Sequence, residues 1–451
     1  MNILGIDLGS TQTCAVLAQT SEDGLKIIGY GKTKTQGIKK GAIIDMTLAA
    51  RSIERAVLNV EVMSGVKRYD KVVVSISGAY TKGINSQGVV NVNSEISIQE
   101  IRRAVALAEH NASVPNDYET VQILPYSFQV NDTDCVIDPL GMNAKRLVVQ
   151  AHIVIAKKSD IKNLRKVVEL AGFTADNLVL SGYASAIACL SDSEKELGAI
   201  LIDMGGGICD IVVYMGNSIH FQHRFPIGSS NITADLAQTL HTPLNEAEEI
   251  KINWQNLGEA GSLVQVPTMG DERKMREYAT EVISDIIYAR VNETLLALAD
   301  WISAERATKN AGAGVVLTGG FVKLARFDEV AIAAFGDKST RVASAKDGIV
   351  SNFTEVFDPE NSCAIGLCLY EAGSFTPYEI DSSKKLRFKG EEFEISSKPA
   401  YTPVGGDDDE NIEEEDDSRT EVAREMSNFA EQKEKKRGVV ARLWDKLTNQ
   451  F

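Results

Sequence analysis

Leu4-Gly-Ile-Asp-Leu-Gly-Ser-Thr-Gln-Thr13 opens the chain as a short apolar strand, an Asp, a glycine turn and then polar residues leading into a second strand. Near the middle, Leu201-Ile-Asp-Met-Gly-Gly-Gly-Ile-Cys-Asp210 repeats that order. Each part has a chemical use. The strand fixes the turn, and the glycines let backbone N–H groups close on phosphate oxygens with no Cβ in the way. The Asp faces a metal ion or its water shell. One such hairpin is weak evidence, because apolar-Asp-x-Gly strings arise by chance in βα proteins. Two copies, each able to grip one end of a polyphosphate, suggest a duplicated clamp around a nucleotide.

Val315-Val-Leu-Thr-Gly-Gly-Phe321 again reads as a buried strand running into paired glycines, a way to bring backbone close to a base or a phosphate. Between these elements, Asn245-Glu-Ala-Glu-Glu-Ile-Lys-Ile-Asn253 has the composition of a helix, with Glu248 and Lys251 on one face. That spacing serves either ribose hydroxyls or an exposed intrahelical ion pair. Taken in order, the two hairpins, the Glu-x-x-Lys helix and the Gly-Gly strand resemble the actin-like ATPase superfamily of actin, heat-shock chaperone ATPases and sugar kinases. The resemblance covers roughly residues 1–375. It implies an α/β, two-lobed fold of duplicated ribonuclease-H-like domains, here with an α+β insert in the first lobe and a disordered C-terminal tether.

Composition agrees with a large folded α/β protein. At 451 residues the chain is too long for one compact core. A net charge of −16 argues against nucleic acid as a partner, although much of that charge lies in one segment near the C-terminus. The six cysteines (Cys14, Cys135, Cys189, Cys209, Cys363 and Cys368) show no CxxC spacing and read as reduced thiols, most of them in the core. With 5 scattered histidines, no zinc site is expected. There is no basic-then-apolar leader and no apolar run of the ~18–20 residues that span a bilayer. The expectation is a cytoplasmic protein whose membrane contact is peripheral.

Along the chain, the sequence divides as follows. Residues 1–82, 159–196 and 361–375 form the first lobe, and 83–158 an α+β insert. Residues 197–240 and 306–360 form the second lobe, with 241–305 as its helical subdomain. Helices are expected at about 48–63, 97–108, 160–171 and 361–370, the last crossing back to the first lobe. Residues 376–438 read as a largely disordered linker with the acid run Asp407-Asp-Asp-Glu-Asn-Ile-Glu-Glu-Glu-Asp-Asp417. In 439–451, Val440, Leu443, Trp444, Leu447 and Phe451 fall on one helical stripe behind basic residues. A Trp-bearing apolar face on a charged tether reads as an interfacial membrane anchor; docking on the protein's own surface or on a partner is the alternative.

The insert, the core length and the tethered helix together resemble the bacterial FtsA family of cell-division proteins. Gly41-Ala-Ile-Ile-Asp45, Pro139-Leu-Gly-Met142, His152-Ile-Val154 and Leu178-Val-Leu-Ser-Gly-Tyr-Ala-Ser185 match further. The resemblance implies that Asp7 and Asp203 hold Mg²⁺, mostly through water. It implies that Gly9, Ser10, Thr11 and Gln12 meet the β-phosphate side of ATP, and Gly205, Gly206 and Gly207 the γ-phosphate side. Glu248 and Lys251 would take the ribose, and Gly319, Gly320 and Phe321 would border the adenosine. Asn177 stands where actin has a water-positioning glutamine, with a shorter amide. Asp210 either supports the metal site or closes its hairpin. Two departures bear on rate: Ile208 stands where many relatives have a Thr, and Gln12 and Thr13 where relatives often have a Lys. A transition-state donor is typically worth on the order of 10²-fold or more in rate, so good ATP binding with slow hydrolysis is expected.

The family resemblance further implies protofilaments, contact with an anionic lipid surface, recruitment of other divisome proteins, and a tether to the C-terminal peptide of the tubulin-like ring protein FtsZ. That peptide would dock on the helical part of the second lobe, near Arg273, Lys274, Arg276 and Arg290. Arg290 is the chosen contact, and an arginine seen in some relatives falls near Ile286 here. The competing readings are an actin-like scaffold of type IV pilus assembly and, further off, an ATP-dependent small-molecule kinase. A kinase gains nothing from the tail helix, and a heat-shock chaperone would need a larger domain after residue 375.

Overall fold

The computed structural model describes residues 1–394 apart from 22–23, 217, 257–260, 346–348 and 389–390. The acid run, the rest of the linker from 395 and the C-terminal stripe lie outside the described residues. The two hairpins become the centres of two sheets with one topology. In the first sheet the strand order is Asn177–Leu180, Lys71–Ile76, Asn2–Leu8, Gln12–Ser21, Gly24–Lys34 and Ile349–Ser351. In the second it is Thr340–Val342, Val315–Thr318, Ala199–Met204, Cys209–Met215 and Ser218–Phe225. Each first strand pairs antiparallel with its hairpin partner and parallel with a strand from further along the chain. Apolar runs such as Ala199–Ile202 are buried throughout, as strands covered on both faces require. The duplication therefore extends from motif to topology: this is the actin-like ATPase fold. Ile349–Ser351, expected in the second lobe, instead adds a parallel edge strand to the first sheet beside Gly24–Lys34.

Two helices tie the sheets together. Ser181–Cys189 follows the edge strand Asn177–Leu180 of the first sheet, yet packs on Ala199–Met204 and Cys209–Met215 of the second. Ser362–Glu371 makes the reverse crossing and packs on Asn2–Leu8, Gln12–Ser21 and Lys71–Ile76. Both helices are apolar nearly all round, as buried helices are. They touch at Gly366, where a Cβ would stand 1.9 Å from the carbonyl oxygen of Ala184.

Two sequence expectations need correction here. Residues 241–305 are not wholly helical. Leu263–Thr268 and Asp271–Ala279 form an antiparallel hairpin between the helices Leu244–Asn253 and Thr280–Ala304. Val264 and Val266 flank Gln265 at the strand period of two, and Val266 is buried. The linker also begins later than residue 376. Glu379–Ile380, Lys385–Phe388 and Glu391–Glu394 extend the insert's sheet, in which Arg146–Lys157 lies between Thr81–Asn91 and Tyr118–Val130. The join is Ile380 beside Ile123.

The extension is bolted down by polar groups. Tyr183 and Tyr370, one on each crossing helix, donate their hydroxyls to Glu379. Arg387 pairs with Glu371 at 3.1 Å and lies over the rings of Tyr370 and Phe375. Burial pushes the Glu379 carboxyl up to about 7, against the pull of the Tyr370 hydroxyl and the Arg387 charge. A raised folded pKa favours the folded state at low pH, and that contribution is lost as pH rises from the ordinary carboxylate range through 7. Glu379→Gln is therefore expected to flatten the fall in stability between pH 5 and 8 and to melt higher than the parent at pH 8. Thermal melts across that range check it; an unchanged slope would contradict it.

Candidate functional site

The carboxyl ends of both central strands open on one cavity of about 460 Å³, where open α/β sheets place their ligands. Asp7, Gly9, Ser10, Thr11 and Gln12 line it from the first hairpin. Asp203, Gly205, Gly206 and Gly207 face them from the second. Glu248, Lys251, Gly319, Gly320 and Phe321 complete the wall. The cavity so gathers every residue expected to touch a nucleotide, except Asn177.

Close approach explains the glycines. A Cβ on Gly206 would stand 2.2 Å from Thr11 Oγ1, so the second hairpin is bare where the Thr11 side chain of the first packs against it. Gly319 has φ +93, and a Cβ there would stand 2.4 Å from Asp203 Oδ1. Gln12 Nε2 is buried with no acceptor among the described residues.

Each carboxylate is held by a serine hydroxyl. Asp7 sits opposite Cys14 in its hairpin, and Asp203 sits opposite Asp210 in the other. Ser75 donates to Asp7 Oδ1 at 2.7 Å. Ser185, on the crossing helix, donates to Asp203 Oδ2 at 2.5 Å, and Ser181 to Asp210 Oδ2 at 2.6 Å. Burial raises all three carboxyls: Asp7 above the usual range, Asp203 to about 7 and Asp210 to about 6. Mutual repulsion adds to burial, from Asp7 and Asp210 at Asp203 and from Asp7 at Asp210.

Among the described residues no group of three or more His, Cys, Asp or Glu is spaced to hold a metal by itself. A shared negative site beside a glycine cradle does fit a hydrated Mg²⁺ that takes its other oxygens from water and phosphate. Asp7 and Asp203 would face it, and the backbone N–H groups and Gln12 would face the phosphates.

Glu248 and Lys251 form an ion pair at 2.8 Å, and it is not an exposed one. The Lys251 side chain is 7% accessible and also reaches Thr233 at 3.1 Å, so the pair forms part of the cavity wall. Burial holds Lys251 below the usual lysine range against the pull of Glu248.

Asn177 is the misplaced candidate. It begins its strand, whereas ligands meet strand ends. Its Nδ2 is 3.4 Å from Glu371 Oε2, and Ser382 donates to its Oδ1 at 3.2 Å. Four residues on, Ser181 reaches the cavity and holds Asp210. Ser181 was missed, although it follows that strand directly. Ser75 was missed too; parallel pairing of Ile6 with Val74 sets it beside Asp7, as Thr318 sits beside Asp203. Trp254, Lys323 and Glu360 also line the cavity, with nothing in their local sequence to mark them. Cys14, Cys189, Cys209, Cys363 and Cys368 are free and buried, and Cys135 is free and exposed.

Arg290 is already engaged. Its guanidinium forks onto Asp235 at 2.6 and 2.9 Å and meets Glu293 at 2.8 Å. Lys274 and Arg276 are exposed on the neighbouring hairpin with Met275. Among the described residues no helix is long and apolar enough to cross a membrane.

Comparison with known proteins agrees with this architecture. The family model described as "Cell division protein FtsA" matches residues 200–366, and that of the "SHS2 domain inserted in FTSA" matches 78–155. The FtsA of Helicobacter pylori is 34% identical over 418 residues, covering 86% of this chain and 85% of that protein. The FtsA of Pseudomonas aeruginosa is 30% identical over 375 residues, covering 82% and 88%. Among solved structures, a PilM–PilN type IV pilus biogenesis complex aligns with a TM-score of 0.59 at 16% identity, over 82% of this chain and 98% of that one. At that identity the likeness is one of fold. Identity of this extent, together with the inserted domain in its expected place, shows that the chain belongs to the FtsA family of cell division proteins.

Proposed function

We propose that this chain is an ATP-binding, membrane-tethered polymer that holds the FtsZ division ring to the inner face of the cell membrane and recruits later divisome proteins. The observation that carries the reading is the pair of facing Asp–glycine hairpins at the heart of an FtsA-family fold. Asp7 and Asp203 orient water around Mg²⁺, which when bound supplies the positive charge that offsets the polyphosphate. The first hairpin, with Gln12, holds the β-phosphate and the second holds the γ-phosphate. Glu248 and Lys251 take the ribose, and Gly319, Gly320 and Phe321 border the base. Contacts of both hairpins with one triphosphate favour a closed cleft. Closed subunits stack into protofilaments, with the insert against a neighbour. One short C-terminal helix binds lipid weakly, so a filament that presents many such helices gains avidity.

Hydrolysis is slow in this scheme, since Ile208 offers no hydroxyl. Asp210, held by Ser181, takes the water-orienting place in preference to Asn177, which does not line the cavity. Asp210→Asn is expected to lower turnover by about 10²-fold, with ATP affinity little changed. Asn177→Ala should leave turnover per folded molecule unchanged. Single-turnover hydrolysis and nucleotide titration check both; equal losses in the two variants would contradict the assignment.

With Arg290 engaged by Asp235 and Glu293, the FtsZ peptide meets the second lobe at the exposed Lys274 and Arg276. Titrating a labelled FtsZ C-terminal peptide with the protein tests the function directly. Saturable binding, weakened by Lys274→Glu with Arg276→Glu, is expected. No binding by the intact chain would overturn the tethering role and move the pilus-type scaffold forward.

A further inference from the structure

The Gly41–Asp45 stretch, without a role so far, belongs to a small hairpin placed over the cleft. Ile38 pairs with Ile43 and Lys39 with Ala42, so Lys40 and Gly41 form a two-residue turn. Both have positive φ, 48° and 75°. Two-residue turns of this kind favour Asn-Gly, because the first position also needs a left-handed backbone. A lysine there is held in a conformation that L side chains seldom adopt.

The turn rests on both phosphate hairpins. The Gly41 N–H donates to Ser10 Oγ at 2.7 Å, and Gly41 lines the cavity. A Cβ on Gly207 would stand 3.1 Å from Lys40 Cα. Lys40 thus has its backbone against the second hairpin while its neighbour is bonded to the first. Its side chain is exposed and has no ion-pair partner among the described residues. The first hairpin itself carries no lysine, only Gln12 and Thr13. A lysine at a strained position that local sequence preference would fill with Asn, beside the glycines of the second hairpin, calls for a function.

We infer that Lys40 reads the terminal phosphate of the bound nucleotide and so sets the preference for ATP over ADP. The four-carbon stem carries an ammonium that can swing over the junction of the two hairpins, where only a triphosphate presents an extra charged acceptor. The inference rests on the cleft being the Mg–nucleotide site.

The test is calorimetric titration of the full chain with Mg–ATP and Mg–ADP. Lys40→Asn suits the turn better than lysine, so its melting temperature should hold or rise. A lost charge-assisted hydrogen bond should weaken ATP about tenfold or more, with ADP changed less than about twofold. Lys40→Arg should keep the ATP preference, and Lys39→Asn should leave both affinities alone. An unchanged ATP-to-ADP ratio in Lys40→Asn overturns the role of Lys40, with the nucleotide site left standing. Equal weakening of both nucleotides also overturns it, by reducing Lys40 to a part of the turn. If the parent protein binds neither nucleotide, the reading of the cleft falls, and this inference with it.

Discussion

Arg387→Ala is expected to cost the folded state about 3–5 kcal/mol, the usual penalty for stranding the partner of a buried ion pair. Arg387 and Glu371 have side chains only 2% and 3% accessible, and they meet at 3.1 Å. Without the guanidinium, Glu371 is left as a buried carboxylate whose remaining hydrogen-bond partner among the described residues is the amide of Asn177, at 3.4 Å. The rings of Tyr370 and Phe375 also lose the cation that covers them. Urea unfolding, with a midpoint shift at unchanged slope, measures the effect. Arg387→Met combined with Glu371→Gln should recover much of the loss, because the stranded charge goes with its partner. A loss under about 1 kcal/mol for Arg387→Ala would be that of a surface pair and would contradict the bolting of this extension to the core.

Gly206→Val is expected to weaken Mg–nucleotide binding more than about 100-fold, or about 2.7 kcal/mol, in a protein that still melts cooperatively. The first atom of the new side chain would fall 2.2 Å from Thr11 Oγ1 and 2.8 Å from Thr11 Cβ. A branched residue would thus wedge apart the two hairpins that are to close on one polyphosphate. Titration with Mg–ATP beside a thermal melt checks this. Tight binding by a folded Gly206→Val protein would mean that phosphates do not sit between the hairpins.

The sheet centres and the Asp and glycine lining of the cavity were legible in sequence, because their chemistry is local. A strand that ends in Asp and glycines needs those residues in that order, wherever the rest of the chain goes. Helix spans were legible for a similar reason: Met46–Ser64 starts on the Asp45 side chain and ends at a left-handed Gly65, both visible as local signals.

What failed depends on partners distant in sequence. Residues 379–394 look like solvated linker because they carry Glu379, Lys384, Lys385, Arg387, Glu391 and Glu392. Two of these charges are buried only because Tyr183, Tyr370 and Glu371 wait for them on the crossing helices. Arg290 looked available because Asp235 lies 55 residues away. Spacing alone could not show that the Glu248–Lys251 pair is buried; that depends on Thr233, on the helix Ser230–Leu240 that packs beside theirs. Asn177 lies at the amino end of its strand, a strand's length from the end that opens on the cavity, and spacing in sequence does not show which end of a strand meets a ligand.

Co-sedimentation of the purified full chain with anionic lipid vesicles, with and without Mg–ATP and beside a version ending at Gly438, tests the nucleotide-gated tether most directly. Pelleting that Mg–ATP enhances and that loss of residues 439–451 abolishes is the expected result. Pelleting that ignores nucleotide, or that survives without the C-terminal stripe, would contradict it.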